Sequence, residues 1–404
     1  MDPRGPRMRL IVCTSSFPNP AEPNKGIFNG RRVRALAEFA ELAVVAPVPY
    51  FPKFVPSKMY GRFALVPGEA VLNGLAVSYP RVPVIPKVGR SLYGLLYAAA
   101  LLRPMAKAIR RSRPDALLSY WAYPDGFATV LLARCFGLPV FVAGMGCDVN
   151  DPDRHFGKRW MVTWTFQHAT GAFAVSRALG ERIVALGVDA AKVKVVPNGL
   201  DDAYLANGAS GSSADGEKRP GTTVLFCGRL SEEKDPLYLL EAARLLFARR
   251  PAARLQFVGD GPLRKKLEEL AEEWHIKDRV SFVGEIRHDR VAGYMRQADV
   301  LCLTSLREGY PNVLLEALAC GLPVVATSVG GVPEIVTDED LGILVPLGQP
   351  AELAAALEKA LEKPWDRQTL RQAVKGRSWR DAGREMLAFI EASSHQFDRS
   401  PSAR

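Results

Sequence analysis

The chain has 404 residues, a length that predicts two domains of about 200 residues each. Its 48% hydrophobic content is typical of a globular protein, and no stretch approaches the roughly 18 consecutive apolar residues of a membrane-spanning helix. The formal net charge is +10, which favours anionic partners over cationic ones.

The positive charge is confined to the first half of the chain. Residues 1–200 carry a net charge of +14 and the remainder carries −4. Such a surface favours nucleic acid, an anionic membrane or an acidic ligand, or is simply solvated. The N-terminal apolar stretch is too short for a signal peptide and fits a first strand. Because the six cysteines show no CxxC pairing and lie mostly in apolar segments, we expect free thiols and a cytoplasmic location.

Strand-like and helix-like segments alternate in the first half, with long connections. The pattern predicts a strand over 9–15, a helix over about 28–39, and later strands in the segments ALLSYWA, PVFVAG and GAFAVS. Residues 49–91 are rich in proline and aromatic residues and give no clear assignment. The polar residues 206–221 predict a surface loop at a domain junction.

The second half alternates more regularly, beginning with a strand over 222–228 and a helix over 235–250. Five more apolar strands follow, separated by helices that include 312–320. Continuous apolar strands between helices predict a parallel sheet covered on both faces, which is the doubly wound α/β architecture. A last amphipathic helix over 378–392 precedes a tail that we expect to be disordered.

Residues 308–316, EGYPNVLLE, form the most informative segment of the chain. Pro311 disfavours helix at the residue before it, Asn312 is a good N-cap, and VLLEALA is a strong helix former. Glu308 is therefore expected on a loop before a helix, with Glu316 about one turn inside it. A helix start binds anions through its N–H groups, and a carboxylate on each side of it binds hydroxyls. That combination suits a nucleotide sugar.

Two cations and two backbone groups are candidates for binding phosphate. Arg229 and Lys234 follow the first strand of the second domain, and ligands in open α/β sheets bind beyond the carboxyl ends of strands. A planar guanidinium and a compact ammonium suit a diphosphate, and an exposed basic loop is the alternative. We expect the backbone N–H groups of Asn312 and Val313 as further donors. Together they would stabilise the charge that grows on a departing nucleoside diphosphate.

The first half offers ligand-binding candidates after two of its strands. Gly26 lies in the loop 19–30, where glycine either lets backbone approach a ligand or forms a plain turn. Trp121 and Tyr123 are candidates for stacking on sugar faces, and Asp125 is a candidate for accepting hydrogen bonds from hydroxyls. Core packing is the alternative for Trp121.

Four segments, in the same order along the chain, resemble the retaining glycosyltransferases of family 4, the glycosyl transferases group 1, which have the GT-B fold. They are VPNGLD (196–201), FCGRLSEEKDP (226–236), VGDGPLR (258–264) and EGYPNVLLEALACG (308–321), the last with the Glu-x7-Glu signature. Four motifs in register are far more specific than any one of them. The resemblance spans roughly residues 8–390 and implies two doubly wound, Rossmann-like domains that face a cleft.

The resemblance also implies a division of labour between domains. An N-terminal domain over 1–203 would bind the acceptor, and a C-terminal domain over 204–375 would bind the nucleotide-sugar donor. A helix over 376–393 would cross back to the N-terminal domain, and 394–404 would form a tail.

Residue roles follow from the same resemblance. Glu308 would contact the donor sugar and act in catalysis with Arg229 and Lys234, whereas Glu316 would bind the ribose hydroxyls. Further donor-binding positions, besides Asn312, Val313 and Gly26, are implied at Gly228, Gly259, Gly261, Gly309 and Tyr310.

The segment AGMGCDVN (143–150) departs from the family, most of whose members resemble H-G-x-D at this point. Met145 stands where the histidine would be, and Asp148 remains a candidate for binding the acceptor. A front-face retaining mechanism needs no strong enzyme base, because the leaving phosphate oxygen takes the proton of the acceptor. WAYPDG (121–126) together with G-x-D-V-N resembles exopolysaccharide and teichuronic-acid-type transferases in particular.

We expect no metal and no cofactor. DPD (151–153) and DED (338–340) imitate the Asp-x-Asp metal motif of another glycosyltransferase fold but fit loop acids, and the five histidines show no ligand spacing. The expected partners are a UDP- or GDP-linked sugar, as substrate, and a lipid-linked or oligosaccharide acceptor, with no nucleic acid.

An anionic membrane surface is a further expected partner. Residues 50–63 mix aromatic side chains with Lys53, Lys58 and Arg62. Such a segment inserts into an anionic membrane surface, or else merely covers the protein. We therefore expect a cytoplasmic protein with peripheral attachment to the inner face of the plasma membrane.

The sequence predicts a retaining glycosyltransferase (EC 2.4 type) that acts in cell-surface polysaccharide synthesis. It would move a hexosyl or N-acetylhexosaminyl group from a nucleoside-diphosphate sugar to the acceptor. One alternative is a nucleotide-sugar-binding subunit without turnover, which the missing histidine suggests. Another is a nucleotide-sugar epimerase, although carboxylates and histidines of the kind it uses are not located. Sugar transfer or donor hydrolysis distinguishes the first reading from the second, and an epimerised free product marks the third.

Overall fold

A computed structural model describes residues 7–23, 25–50, 61–83, 93–150, 156–201, 204 and 222–398. These residues form two compact units. The first unit comprises the chain up to Pro197 together with the chain from Trp379 onward, and the second comprises Asn198–Ser378. The predicted junction loop over 206–221 and the predicted membrane contacts Lys53 and Lys58 lie outside the described residues.

The first unit is built on a mainly parallel sheet. Among the described residues its strands run in the order β10-β9-β8-β7-β1-β2-β5-β4, with β4 antiparallel to β5 at the edge, and β3 pairs with β6 separately. The central strands are apolar without alternation and buried along nearly their whole length, as expected for a sheet covered on both faces. The strands are Arg9–Cys13 (β1), Glu41–Val45 (β2), Val48–Tyr50 (β3), Glu69–Leu72 (β4), Leu75–Ser78 (β5), Arg81–Pro83 (β6), Ala116–Tyr120 (β7), Val140–Gly144 (β8), Gly171–Ala174 (β9) and Val193–Val195 (β10).

Helices follow the strands of the first unit and cover its sheet. The predicted helix over 28–39 is confirmed within two residues, and the proline-rich region without an assignment supplies β3 to β6. The helices are Ile27–Ala37 (α1), Tyr93–Ser112 (α2), Phe127–Phe136 (α3), Cys147–Asn150 (α4), Phe156–His168 (α5) and Arg177–Ala185 (α6).

The second unit is a parallel sheet with the strand order β13-β12-β11-β14-β15-β16 among the described residues. This order confirms the predicted doubly wound architecture. The order reverses between β11 and β14, and open α/β sheets bind ligands at such a switch point. The strands are Thr223–Cys227 (β11), Arg254–Val258 (β12), Val280–Gly284 (β13), Val300–Leu303 (β14), Val324–Thr327 (β15) and Gly342–Val345 (β16). The helices are Pro236–Arg249 (α7), Arg264–Glu273 (α8), His288–Gln297 (α9), Asn312–Ala319 (α10), Pro350–Glu362 (α11) and Arg367–Ala373 (α12).

The C-terminal helix, Trp379–Asp398 (α13), belongs to the first unit and packs on α1. A Cβ built on Gly383 would lie 2.8 Å from the carbonyl carbon of Ala35, so the two helices approach at backbone distance. The prediction of disorder after residue 393 is wrong for 394–398. Met386, Ile390 and Ser394 lie four residues apart on one face of the helix and are all buried, so the packed face extends past residue 393.

None of the helices within the described residues is both long enough and apolar enough to cross a bilayer.

Candidate functional site

The loops after β11 and β14 are joined by hydrogen bonds at the switch point of the second unit. The backbone N–H of Leu306 donates to the carbonyl of Glu233 at 2.9 Å. The hydroxyl of Thr304 donates to the carbonyls of Lys234 and Asp235, at 3.0 and 2.9 Å. The two segments that carry the predicted catalytic residues therefore form one local structure.

Glu308 and Lys234, predicted from separate motifs, are in direct contact. The Lys234 ammonium lies 2.5 Å from Glu308 Oε1, and the Ser305 hydroxyl donates to the same oxygen at 2.6 Å. The Glu308 side chain is 9% exposed and that of Lys234 is 27% exposed. A buried carboxylate without a charged partner is costly, and the lysine supplies that partner. Arg229, on the same loop as Lys234, is exposed.

Gly330, which the sequence analysis missed, lies against the backbone of Glu308. Its φ is +52°, and a Cβ on it would lie 1.9 Å from the carbonyl oxygen of Glu308. A side chain would collide with the backbone at this contact, and glycine adopts this φ at no steric cost. The two consecutive glycines just after strand β15 were the available signal.

The start of helix α10 is set by a long-range contact, and the prediction that Asn312 is the N-cap is wrong. The helix begins at Asn312 itself, and Pro311 occupies the cap position without a side-chain hydrogen bond. The Asn312 carboxamide oxygen instead accepts from Asn198 Nδ2 at 2.6 Å, and Asn198 Nδ2 also lies 3.3 Å from the carbonyl of Tyr310. Asn198 comes from the motif VPNGLD, so this motif fixes the approach to the predicted anion site. The Tyr310 side chain is buried and its hydroxyl accepts from Arg377.

Glu316 lies in the second turn of α10, as predicted, and it is buried. Its Oε1 lies 3.2 Å from His288 Nε2, and the two side chains are 6% and 18% exposed. Burial, and after it the charge of Glu316, raises the pKa of Cys227 at the end of β11 to about 12. A glutamate on the protein surface would show neither feature.

Backbone packing alone explains why glycine occupies positions 259 and 261. A Cβ on Gly259 would lie 2.0 Å from the carbonyl oxygen of Gly228, and one on Gly261 would lie 2.3 Å from that of Leu230. The loop after β12 thus packs directly on the loop that carries Arg229. That these two glycines and the buried Gly309 contribute to donor binding stays a prediction.

In the first unit, Gly26 supports the loop after β1. Its φ is +61°, it caps the N-terminus of α1, and a Cβ there would lie 2.0 Å from the carbonyl oxygen of Ser16. Glycine is required here by backbone packing, and its contact with phosphate stays a prediction.

Asp125 is fully buried and connects two elements. Its Oδ2 accepts from the Ser15 hydroxyl at 2.7 Å and its Oδ1 accepts from the Tyr97 hydroxyl. Burial raises the pKa of Asp125 to about 6, against the opposing effect of these hydrogen bonds. The carboxylate therefore ties the loop after β1 to helix α2. With both oxygens engaged, its contact with an acceptor hydroxyl stays a prediction.

Asp148 shapes the segment that departs from the family pattern. Its Oδ1 accepts from the backbone N–H groups of Met145 and Gly146, each at 2.9 Å, and its Oδ2 accepts from that of Ala122 at 2.8 Å. Burial raises the pKa of Asp148, and these three donors oppose the rise. Trp121, next to Ala122, is half-buried against the apolar core of the unit. This contact agrees with the core-packing alternative for Trp121.

Tyr123 is half-buried, with its ring edge toward Tyr93 at a centroid distance of 6.5 Å. Its predicted stacking on a sugar stays a prediction.

No group of three or more histidine, cysteine, aspartate or glutamate side chains in the described part of the chain is arranged to hold a metal ion. Asp151 and Asp153, of the first Asp-x-Asp sequence, lie outside that part.

Comparison with known proteins covers most of the chain. Residues 213–377 match the family model described as glycosyl transferases group 1, and residues 30–199 match the one described as a glycosyl transferase 4-like domain. The glycosyltransferase TuaC of Bacillus subtilis, named for teichuronic acid biosynthesis, is 27% identical over 384 residues, which are 89% of this chain and 90% of that protein. A D-inositol 3-phosphate glycosyltransferase of Kribbella flavida is 29% identical over 415 residues, covering 95% of each chain.

A solved structure supports the fold. Anabaena HepE in complex with UDP superposes with a TM-score of 0.71 at 18% identity, covering 95% of this chain and 100% of the other.

Proposed function

We propose a retaining transfer reaction for this chain, which belongs to the glycosyl transferases group 1 family and is a glycosyltransferase with the GT-B fold. The reaction moves a hexosyl or N-acetylhexosaminyl group from a UDP- or GDP-linked sugar to a lipid-linked or oligosaccharide acceptor. The observation that carries the proposal is the contact of Lys234 with Glu308 at the switch point of the second unit, close in sequence to the start of α10.

The second unit binds the donor in this proposal. The first N–H groups of α10, at Asn312 and Val313, lack partners within the helix and bind phosphate, with the helix dipole favouring negative charge. Lys234 and Arg229 bind the diphosphate, and the buried carboxylate of Glu316 accepts from the ribose hydroxyls. Because these cations neutralise the diphosphate, the reaction needs no metal ion or cofactor.

The chemistry follows from these positions. The bond between the sugar C1 and the diphosphate oxygen breaks, and the acceptor oxygen forms its bond to C1 on the same face, so the anomeric configuration is retained. The acceptor hydroxyl gives its proton to the leaving phosphate oxygen. Glu308 contacts the sugar and Lys234 the diphosphate, and their mutual contact positions the sugar relative to the leaving diphosphate. Donors fixed in place before the reaction stabilise the growing charge without reorganisation.

The acceptor belongs to cell-surface polysaccharide or glycolipid synthesis. Support comes from the relatives, one of which is named for teichuronic acid biosynthesis. The first unit supplies the acceptor contacts, with Trp121 and Tyr123 as the candidates for stacking on a sugar.

A surface of the first unit supports peripheral attachment to an anionic membrane. Helix α2 exposes Leu95, Leu96 and Leu102 by 43–46%, and Trp160 of α5 is 54% exposed. Helices α2 and α5 pack together at positions adjacent in sequence to Leu95 and Trp160, since a Cβ on Gly94 would lie 2.7 Å from the Met161 sulfur. Exposed arginines follow along α2 at 103 and 110. Apolar side chains flanked by cations suit an anionic lipid surface.

The anomeric configuration of the product tests the proposed reaction. NMR determines whether the linkage at C1 is α or β in the donor and in the product, from the coupling constant of the proton on C1. The proposal predicts the same configuration in both. An inverted product would show that the acceptor attacks C1 on the face opposite the leaving diphosphate. The proposed retaining mechanism would then be wrong.

A further inference from the structure

We propose that His288 is a positioning residue that orients the carboxylate of Glu316 toward the ribose of the donor nucleotide. The inference rests on the proposed function, because it assigns to Glu316 the binding of ribose hydroxyls. It adds a residue from outside the four motifs that indicated the family.

The ring of His288 is held by two neighbouring side chains. It is the first residue of α9, and its Nε2 lies 3.2 Å from Glu316 Oε1. The buried Tyr204 also contacts the ring, at a centroid distance of 5.7 Å and an interplanar angle of 60°. The Tyr204 hydroxyl lies 3.3 Å from His288 Nε2 and 3.5 Å from its carbonyl oxygen. The ring is therefore fixed before any ligand arrives.

The chemistry of the contact fixes the position of one proton. A carboxylate oxygen only accepts hydrogen bonds, so the 3.2 Å contact is a hydrogen bond when His288 Nε2 carries the proton and its N–H donates to Glu316 Oε1. A protonated Nε2 cannot accept from the Tyr204 hydroxyl, which then donates to the His288 carbonyl oxygen. The neutral Nε2–H tautomer and the imidazolium both meet this requirement. Among the described residues, no other side chain or backbone group is hydrogen-bonded to the Glu316 carboxylate, so Oε2 remains to accept from a hydroxyl.

The consequence for binding concerns the last torsion of the glutamate. That torsion is broad and roughly two-fold in a free side chain, so an unheld carboxylate samples many orientations. A hydrogen bond from a ring that is itself fixed selects one orientation, in the way that residues behind metal ligands orient them. Ribose presents two neighbouring hydroxyls in a fixed geometry, and binding both requires the carboxylate plane to be set in advance.

The test compares two nucleotides in three proteins. Calorimetry measures the Kd of UDP or GDP, whichever binds the wild type more tightly, and the Kd of its 2′,3′-dideoxy analogue. The proteins are the wild type, Glu316→Ala and His288→Ala. The loss of a hydrogen bond to a charged group predicts that His288→Ala weakens the normal nucleotide roughly 10- to 100-fold. The dideoxy analogue, which lacks the hydroxyls, should bind the wild type and His288→Ala within about twofold of each other.

Two further variants separate positioning from mere packing. His288→Gln keeps an N–H donor at a similar reach and should recover part of the lost affinity. Tyr204→Phe keeps the ring that packs on His288 and removes only a hydroxyl, so it should weaken binding less than His288→Ala. Thermal unfolding of each variant shows whether the fold is intact. In steady-state kinetics, His288→Ala should raise the donor KM far more than it lowers kcat.

Two outcomes would overturn the inference. If His288→Ala weakened the normal and the dideoxy nucleotide equally, the histidine would act on the fold and not on the ribose contact. If His288→Ala left the Kd of both nucleotides unchanged while Glu316→Ala weakened binding of the normal nucleotide, the carboxylate would need no positioning by the histidine. If Glu316→Ala itself left binding of the normal nucleotide unchanged, the ribose role of Glu316 in the proposed function would fail first.

Discussion

The carboxylate of Glu308 receives two side-chain contacts at one oxygen, from Lys234 and Ser305. This arrangement makes the lysine part of a fixed pair and not a mobile surface charge. A cation that is held in place before the reaction stabilises a growing negative charge more effectively than one that must first be ordered.

Lys234→Ala should therefore slow sugar transfer by about 100- to 1000-fold, the usual cost of losing one donor at a developing anion. Initial rates at saturating donor measure the effect. Lys265→Ala, which removes an exposed lysine of α8 in the same unit, is the matched control and should transfer at the wild-type rate. Equal rates for Lys234→Ala and the control would show that Lys234 does not contact the diphosphate.

Asp125 predicts a pH dependence of stability in the first unit. Its pKa is raised from 3.8 to about 6, first by burial, while Tyr97, Ser15 and the charge of Lys25 oppose the rise. Because the folded state then holds a proton that the unfolded state has released, this contribution to stability is complete below about pH 4 and falls as pH rises to about 6. Asp125→Asn cannot ionise and should lack this fall.

Urea unfolding of both proteins across that pH range measures the difference in the free energy of unfolding. Parallel pH profiles for wild type and Asp125→Asn would contradict the prediction, since they would place the titration elsewhere. The cysteine beside this carboxylate does not contribute, because burial raises the pKa of Cys13 far above this range.

At the scale of elements, the strands were the easiest part to predict. Continuous apolar runs such as TVLFC can only be buried on both faces, and this property is local to the sequence. The start of α10 was harder, since a favourable N-cap residue at 312 was drawn into a hydrogen bond with Asn198 from over a hundred positions away. A local capping preference of about 1 kcal/mol is easily outweighed by such a contact.

The residues of the candidate site also fall into those that local sequence indicates and those that only tertiary contacts reveal. Glu308, Glu316, Arg229 and Lys234 could be proposed from the sequence because their motifs are local. His288 and Gly330 were missed because their roles depend on which loop or helix packs beside them, and a single sequence carries no record of that contact. The aspartates at 125 and 148 were found, but their burial was not, since both follow strands as exposed ligand-binding residues also do.

Gly330→Ala tests whether the loop after β15 supports Glu308. The added Cβ would meet the Glu308 carbonyl, so the loop must shift and transfer should fall at least tenfold, with a loss of stability beyond the ~1 kcal/mol cost of alanine at positive φ. Gly348→Ala is the matched control, because Gly348 also has a positive φ, +82°, but a Cβ there meets nothing within 4 Å. If both variants lost stability equally and kept full activity, Gly330 would not support the site.

At the scale of the whole molecule, charge and apolar exposure coincide in the first unit. The net charge of +14 lies in residues 1–200, and the exposed leucines of α2 lie in the same region. Each lysine or arginine near an anionic leaflet contributes roughly 1 kcal/mol, which salt screens. We propose this surface as the site of the attachment that the sequence predicts, since Lys53 and Lys58 lie outside the described residues.

Sedimentation with phosphatidylglycerol-containing vesicles tests the attachment. The wild type should bind at low salt and dissociate as salt rises, and replacing Leu95 and Leu96 by serine should weaken binding at least fivefold. Leu347→Ser, which changes a leucine of the second unit that is 44% exposed, is the control and should bind as the wild type does. A wild-type protein that stayed in the supernatant at low salt would make a soluble acceptor the better assignment.

The most direct test of the account is to follow sugar transfer itself. Purified wild type and Glu308→Gln are incubated with a panel of UDP- and GDP-sugars and a bacterial lipid extract, and products are identified by mass spectrometry. The account predicts that the wild type adds one hexose or N-acetylhexosamine to a lipid-linked acceptor and releases the nucleoside diphosphate, and that Glu308→Gln does so at least 100-fold more slowly. Equal transfer by both proteins, or donors that every sample leaves intact or merely epimerised, would contradict it.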